Sequence, residues 1–151
     1  MEGEFMISDC ILVAVDGSEN SLRALRAASE VSYEREGKLV VMNAFHVPPE
    51  YDSLASQMAD GSHFISRLGK QAQAKAEKLL KDALERVECP SAESKLVQGR
   101  PEKSIVEAAK ELNATMVVLG NRGRGEVRSL LFGSVSHYVL HHAPCPVLVV
   151  P

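Results

Sequence analysis

The sequence has few cysteines, little net charge and no long apolar run, and each absence excludes a class of protein. The three cysteines, Cys10, Cys89 and Cys145, are odd in number and widely spaced, so they predict reduced thiols rather than a disulfide framework or a paired-knuckle zinc site. A formal net charge of −3 is not that of a typical nucleic-acid binder, which carries a strongly basic face. No apolar run approaches the roughly 18 residues that a membrane span needs.

The start of the chain, residues 1–5, is acidic and lacks the basic end and apolar core of a signal peptide. We therefore expect a cytoplasmic protein with no nucleic-acid and no membrane partner. At 151 residues, with 45% hydrophobic and 25% charged residues, the composition is that of an ordinary globular domain. Because no repeat or linker interrupts it, we expect one domain over residues 1–151.

Short apolar runs alternate with helical patterns along the chain. Strands are predicted at residues 10–15, 39–45, 94–97, 115–119 and 147–150. Helices are predicted after Ser18, through the apolar stripe from Ala76 to Val87, from Pro101, and from about Ser134 to His141. The run from Pro48 to about Gly61 is expected to be irregular and mobile. This alternation predicts an α/β fold with a parallel sheet and helices on both faces.

Ligands of such open sheets bind beyond the carboxyl ends of the strands, where the strand order reverses. Those ends are predicted at Asp16, at residues 45–47 and at Gly120. His46, near the second of them, is a minor candidate for lining the cleft.

The segment from Gly120 to Ser134 combines three features that suit a phosphate group. Its glycines permit positive φ and lack the Cβ that would hold an anion away from the backbone. The last helix begins there, with free N–H groups and the positive end of its dipole. Ser134 adds a hydroxyl donor, and Arg122, Arg124 and Arg128 outnumber Glu126.

The spacing is neither the GxGxxG dinucleotide fingerprint nor the P-loop, because no Gly-Lys-Ser/Thr triplet occurs. On chemistry alone, a phosphate-binding loop and a plain turn both remain open.

The segment matches the pattern G-x2-G-x9-G-(S/T), with Gly120, Gly123, Gly133 and Ser134 in register. This pattern resembles the universal stress protein family, and the resemblance extends to residues 13–18 and 131–150. It implies an open five-stranded parallel sheet in the order 3-2-1-4-5, Rossmann-like, and bound ATP in the family's nucleotide-binding branch. It also implies homodimers built at the last strand, Val147 to Val150.

The resemblance implies roles for individual residues. Gly120 would lie near the ribose, Gly123, Gly133, Ser134 and Val135 near the phosphates, and the main chain of Ala44 near the adenine. Asp16 would lie at the nucleoside end. A bare carboxylate would repel phosphates unless it bonds the ribose or reaches a bridging Mg²⁺ or Mn²⁺ ion, and we expect it to hydrogen-bond the ribose or base. Alternatively, Asp16 helps to cap the helix after Ser18. Asn121 stands where many relatives have Ser or Thr.

His137, His141 and Cys145 suggest zinc by their spacing. Pro144 should end the helix before Cys145, however, so surface or partly buried histidines are the preferred interpretation.

Catalysis has little support in the sequence, which has neither a Walker-type lysine nor a G-x-S-x-G elbow. We therefore expect an ATP-binding regulatory module of the stress response without dedicated catalysis. A weak ATPase or autophosphorylating enzyme and a nucleotide-free interaction module remain as alternatives.

Overall fold

The computed structural model describes residues 8–123 and 132–151. The expectations for residues 1–5 and for Arg124, Glu126 and Arg128 lie outside these ranges. The described elements are β1 (Cys10–Ala14), α1 (Glu19–Glu34), β2 (Lys38–Phe45), α2 (Glu50–Ala55), α3 (Gly61–Val87), β3 (Glu93–Gln98), α4 (Pro101–Glu111), β4 (Met116–Gly120), α5 (Ser134–His142) and β5 (Val147–Val150).

The five strands form one sheet in the order β3-β2-β1-β4-β5, and every neighbouring pair is parallel. This confirms the predicted open α/β sheet. The middle strand β1 is the best buried, since Ile11, Leu12 and Val13 have no exposed surface. Strands that are covered on both faces carry such continuous apolar runs.

Alternate side chains of β1 pack into two separate hydrophobic cores. Ile11 and Val13 pack with Leu25 of α1 and Leu80 of α3 on one face. Leu12 packs on the other face with residues of α4 and α5, among them Ile105 and Val139. Because successive side chains of a strand point to opposite faces, one apolar strand anchors both helical layers.

The ends of two helices follow the sequence signals. The Ser18 hydroxyl accepts the N–H of Ser21 at 3.1 Å, which confirms the predicted cap of α1. Pro101 is the first residue of α4, where its missing N–H costs nothing. Asn113 has the left-handed φ of 49° expected of a residue that terminates this helix.

The prediction for the segment between Pro48 and Gly61 was wrong, because this segment contains α2. The helix has six residues, buries Ala55 and receives no side-chain cap at Pro49. One buried residue gives no apolar periodicity, and an uncapped start gives no signal in the sequence.

The longest helix, α3, presents a charged outer face on which Lys78 and Asp82 pair at 2.6 Å. Within residues 8–123 and 132–151, no helix combines the length and apolar character needed to cross a bilayer.

Candidate functional site

A cleft opens at the carboxyl end of the sheet, where β1 lies between β2 and β4. Its walls are formed by Ala14, Val15, Asp16, Ser21, Asn43, Ala44, Pro101, Ile105, Leu119, Gly120, Arg122, Gly123, Gly133, Val135 and Ser136. Of the predicted site residues, Asp16, Ala44, Gly120, Arg122, Gly123, Gly133 and Val135 are among them. The structure thus brings together segments that are far apart in the sequence.

Ser134 is the predicted site residue that does not line this cleft. It is the exposed first residue of α5, next to two residues that do. A ligand group that contacts Ser134 would therefore lie at the mouth of the cleft.

The cleft encloses about 130 Å³. Pockets that hold a whole small ligand usually measure about 300–1,000 Å³, so this one has room for part of a nucleotide, with the remainder extending through the mouth. Ile105 and Leu119 give its interior an apolar surface, which suits a flat base.

Asp16 stabilises the turn between β1 and α1 by two hydrogen bonds. Its Oδ1 accepts the N–H of Ser18 at 2.9 Å, and its own N–H donates to the Ser21 hydroxyl at 3.3 Å. Its Oδ2 lies on the side of Gly123, since a Cβ built on Gly123 would fall 2.6 Å from that oxygen. The carboxylate therefore supports the start of α1 and also borders the cleft.

The described glycines of this segment, Gly120, Gly123 and Gly133, do not use the positive φ that glycine permits. Gly120 lies in a strand, and Gly133 has φ −75° and ψ 172°. A Cβ on Gly120 would lie 2.9 Å from the main-chain carbon of Asn20, so glycine at this position permits close packing of β4 on α1. Among the described glycines, positive φ occurs at Gly17 and Gly99. Glycine is needed at position 120 for lack of space and not for its φ, because the chain there is extended.

Asn121 joins four parts of the structure. Its N–H donates to the carbonyl of Val150 at 2.8 Å, and its carbonyl accepts the N–H of Gly133 at 2.7 Å and the hydroxyl of Ser136 at 2.9 Å. Its side-chain Oδ1 accepts Nδ2 of Asn20 at 2.8 Å. The polar side chain at this position therefore ties the start of the loop to α1, and sequence reasoning missed Asn20 and Ser136 as its partners.

The N-terminus of α5 faces the same cleft. The first intrahelical bond runs from the N–H of His137 to the carbonyl of Gly133 at 3.0 Å, so the amides of Val135 and Ser136 precede the helical bonding pattern. Gly133, Val135 and Ser136 line the cleft. The positive end of the helix dipole is thus available to an anion there.

The ladder between β1 and β2 ends one rung early. The N–H of Val15 donates to the carbonyl of Met42 at 2.9 Å, and in a parallel ladder the next bond would run from the N–H of Ala44 to the carbonyl of Val15. Instead, Nδ2 of Asn43 donates to that carbonyl at 2.7 Å. Within the described chain, no hydrogen bond joins Ala44 to Val15.

Because the ladder ends early, the main-chain N–H and C=O of Ala44 do not bond β1. The N–H and C=O of Ala44 leave β2 on the same edge as those of Met42, two residues earlier. Because β1 has already left this edge, both groups face the cleft that Ala44 lines. Sequence reasoning found Ala44 but missed Asn43, whose one signal is a polar residue inside an apolar strand pattern.

The histidine candidates lie elsewhere. His46 is exposed and lines a second pocket together with Asp52 and Lys70, so the expectation that it lines the cleft was wrong. His46 directly follows β2, and the pocket that it lines also includes residues of α3. The rings of His137 and His141 are 4.7 Å apart between centroids, and α5 ends at His142, before Cys145, as expected.

No group of three or more histidine, cysteine or acidic side chains within the described residues is arranged to hold a metal ion. All three cysteines are free thiols. Burial raises the pKa of the Cys10 and Cys145 thiols, and neither residue lines the cleft.

Comparisons with known proteins show the family to which the chain belongs. Residues 9–151 match the model of the universal stress protein family. A universal stress protein of Thermus aquaticus is 36% identical over 140 residues, which cover 93% of this chain and 96% of the relative.

Two solved structures are also similar. The universal stress protein UspA of Lactobacillus plantarum superposes with a TM-score of 0.76 at 24% identity, covering 95% of this chain and 97% of its own. A universal stress protein in complex with cAMP superposes with a TM-score of 0.60 at 27% identity, covering 95% of this chain and 96% of its own. The chain described here belongs to the universal stress protein family.

Proposed function

We propose that this protein binds ATP in the cleft and that the nucleotide acts as a ligand which sets conformation or partner choice in a stress response. The observation that carries the proposal is the juxtaposition of two recognition elements in one apolar cleft. The main chain of Ala44 supplies a donor and an acceptor at one side, and the N-terminus of α5 supplies amides for an anion. An adenine nucleotide requires both.

The proposed pose follows from this placement. The base would lie against Ala44 and the apolar wall at Ile105, with the ribose near Asp16 and Gly120. The phosphates would extend past Gly123 and Arg122 toward Gly133, Ser134 and Val135, where dipole and amides favour negative charge. The relative in complex with cAMP supports an adenine nucleotide as the ligand class.

A divalent ion would accompany ATP mainly through the phosphates. Asp16 is the only carboxylate among the described residues that line the cleft, so it is the protein group that would reach a Mg²⁺ or Mn²⁺ ion held by the phosphates. The same wall has neither lysine nor histidine among its described residues. We therefore propose binding rather than turnover, since phosphoryl transfer requires a positioned nucleophile and base.

We also propose that the protein is a cytoplasmic homodimer that pairs through β5. This strand is the last of the sheet on its side, and Leu148 within it is 38% exposed. An apolar edge strand with unpaired backbone groups is a template for a second strand.

Calorimetric titration of ATP into wild type and the Gly133→Val variant tests the nucleotide site. The valine side chain would occupy space where the α5 amides meet phosphate, so we expect at least a tenfold loss of affinity with an unchanged circular dichroism spectrum. Gly69→Val is the matched control, because a Cβ at Gly69 meets no atom within 4 Å. Equal affinity in wild type and Gly133→Val would contradict the proposed site. A wild type that binds no adenine nucleotide would favour an interaction module.

A further inference from the structure

Asn43 is a buried polar side chain in the middle of the sheet, with 9% of its surface exposed. Buried amides are normally hydrogen-bonded, and that of Asn43 bonds the carbonyl of Val15 rather than another side chain. This carbonyl is the acceptor that the ladder would otherwise assign to Ala44. Asn43 therefore bonds the same carbonyl that would close the ladder across the floor of the cleft.

We infer that Asn43 determines the base selectivity of the cleft by keeping the N–H and C=O of Ala44 free for a ligand. The inference rests on the proposed nucleotide function and deepens it. Asn43 need not touch the ligand, so it is a positioning residue. Its effect is to leave a donor and an acceptor side by side on one strand edge, next to an apolar wall.

A donor and an acceptor in this arrangement fit a 6-aminopurine. The ring nitrogen N1 of adenine accepts a hydrogen bond, and the neighbouring 6-amino group donates one. A purine without the amino group leaves the carbonyl of Ala44 without a donor, which is the situation in which binding sites discriminate most strongly.

The choice of asparagine follows from the same geometry. Leucine has a similar size but no donor, and aspartate has the same shape but presents oxygens toward a carbonyl. Either substitution leaves the Val15 carbonyl without its partner. The N–H of Ala44 is in register with this carbonyl, so we expect these two groups to form a new hydrogen bond of the ladder. The edge of β2 at Ala44 would then no longer be available to a base.

The first test needs no nucleotide. Amide hydrogen exchange by NMR on the ligand-free protein should show little protection at Ala44 in wild type, because this N–H faces the cleft. In Asn43→Leu and in Asn43→Asp, exchange at Ala44 should slow by at least about tenfold relative to wild type as the new rung forms. An Ala44 amide that is already as protected as that of Met42 in wild type would overturn the inference, whether or not the variants fold.

The second test measures selectivity by calorimetry with ATP and with purine riboside 5′-triphosphate, which lacks only the 6-amino group. Wild type should bind ATP about tenfold more tightly than the analogue, the size expected for one net hydrogen bond. In both Asn43 variants this ratio should fall to about one. A merely structural role would weaken both ligands equally and leave the ratio unchanged.

Ser32→Ala is the matched control. The Ser32 hydroxyl donates to the carbonyl of Gly37 at 2.8 Å and is also buried, but it lies before β2, at the other end of the sheet. This variant should keep the tenfold ratio. If wild type binds neither nucleotide, the proposed function fails while the exchange result stands. If wild type and the Asn43 variants prefer ATP over the analogue by the same factor, the inference fails while the proposed function stands.

Discussion

Asp16 and Gly123 approach so closely that a Cβ on Gly123 would lie 2.6 Å from Oδ2 of Asp16. The carboxylate belongs to the turn after β1, and the glycine follows β4. Their contact joins two walls of the cleft that come from opposite halves of the sequence. The absence of a side chain at Gly123 therefore leaves room for the carboxylate, which its bond to the N–H of Ser18 holds in place.

Gly123→Ala should weaken ATP binding by about tenfold and cost about 0.5–1.5 kcal/mol of stability. The new methyl group meets Oδ2 of Asp16, so the carboxylate must turn away from the proposed ribose position and strain its bond to the N–H of Ser18. Calorimetry and urea unfolding measure the two effects. Gly69→Ala is the control: it should stabilise α3 by about 0.5–1 kcal/mol and leave affinity unchanged. Wild-type affinity in Gly123→Ala would show that the position of Asp16 does not matter.

Gly120→Ala should act mainly by destabilising the fold. Its methyl group would lie 2.9 Å from the main-chain carbon of Asn20 and 3.1 Å from the carbonyl oxygen. Main-chain atoms of a helix cannot rotate away, so we expect a loss of about 1–3 kcal/mol in the free energy of unfolding. Urea denaturation followed by circular dichroism measures it. An unchanged denaturation midpoint would contradict the close packing of β4 on α1.

Leu148→Lys should convert the proposed dimer into a monomer. A charged side chain on an apolar edge strand opposes pairing with a second copy. Sedimentation velocity at several protein concentrations measures the assembly state. Tyr33→Lys is the control, because Tyr33 is 86% exposed and lies on α1 rather than on the edge strand. A Leu148→Lys variant that sediments like wild type would exclude this edge as the interface.

The Cys10 thiol should make stability depend on pH. Burial raises its pKa, with the charge of Lys38 opposing the effect. The folded state thus holds this proton more tightly than the unfolded chain. Its contribution is complete below the ordinary thiol pKa of about 8.5 and is lost as pH rises through the raised value. Urea unfolding at pH 7 to 10 should show a steeper loss in wild type than in Cys10→Ala. Parallel curves for the two proteins would contradict this.

Much of the fold was predictable because its strands are short apolar runs between strong breaks. Residues such as Leu12 and Val13 have no exposed surface, and burial on both faces produces a pattern that the sequence displays directly. Helix α2 was not predicted because it has six residues, of which Ala55 alone is buried, so its sequence has no helical repeat of apolar residues.

The cleft was predictable in its residues but not in its hydrogen bonds. Glycines and an aspartate after strands mark the carboxyl end of the sheet, and Asp16 and Gly123 indeed line one cleft. The role of Asn43 depends on the register between β2 and Val15, which no single segment encodes. The same holds for the bond between Asn20 and Asn121, whose positions lie far apart in the chain.

The walls of the cleft are contributed in chain order by β1, α1, β2, α4, β4 and finally α5, with the turns that adjoin them. During synthesis, domains form as the chain emerges from its amino end. A nascent chain that extends through β3 already contains Asp16 and Ala44 but neither Gly120 nor Gly133. If ATP binds at the proposed site, it cannot guide the early stages of folding on the ribosome, because the site is complete only once the second half of the sheet is in place. Retention of ATP would then report that a newly made molecule is complete.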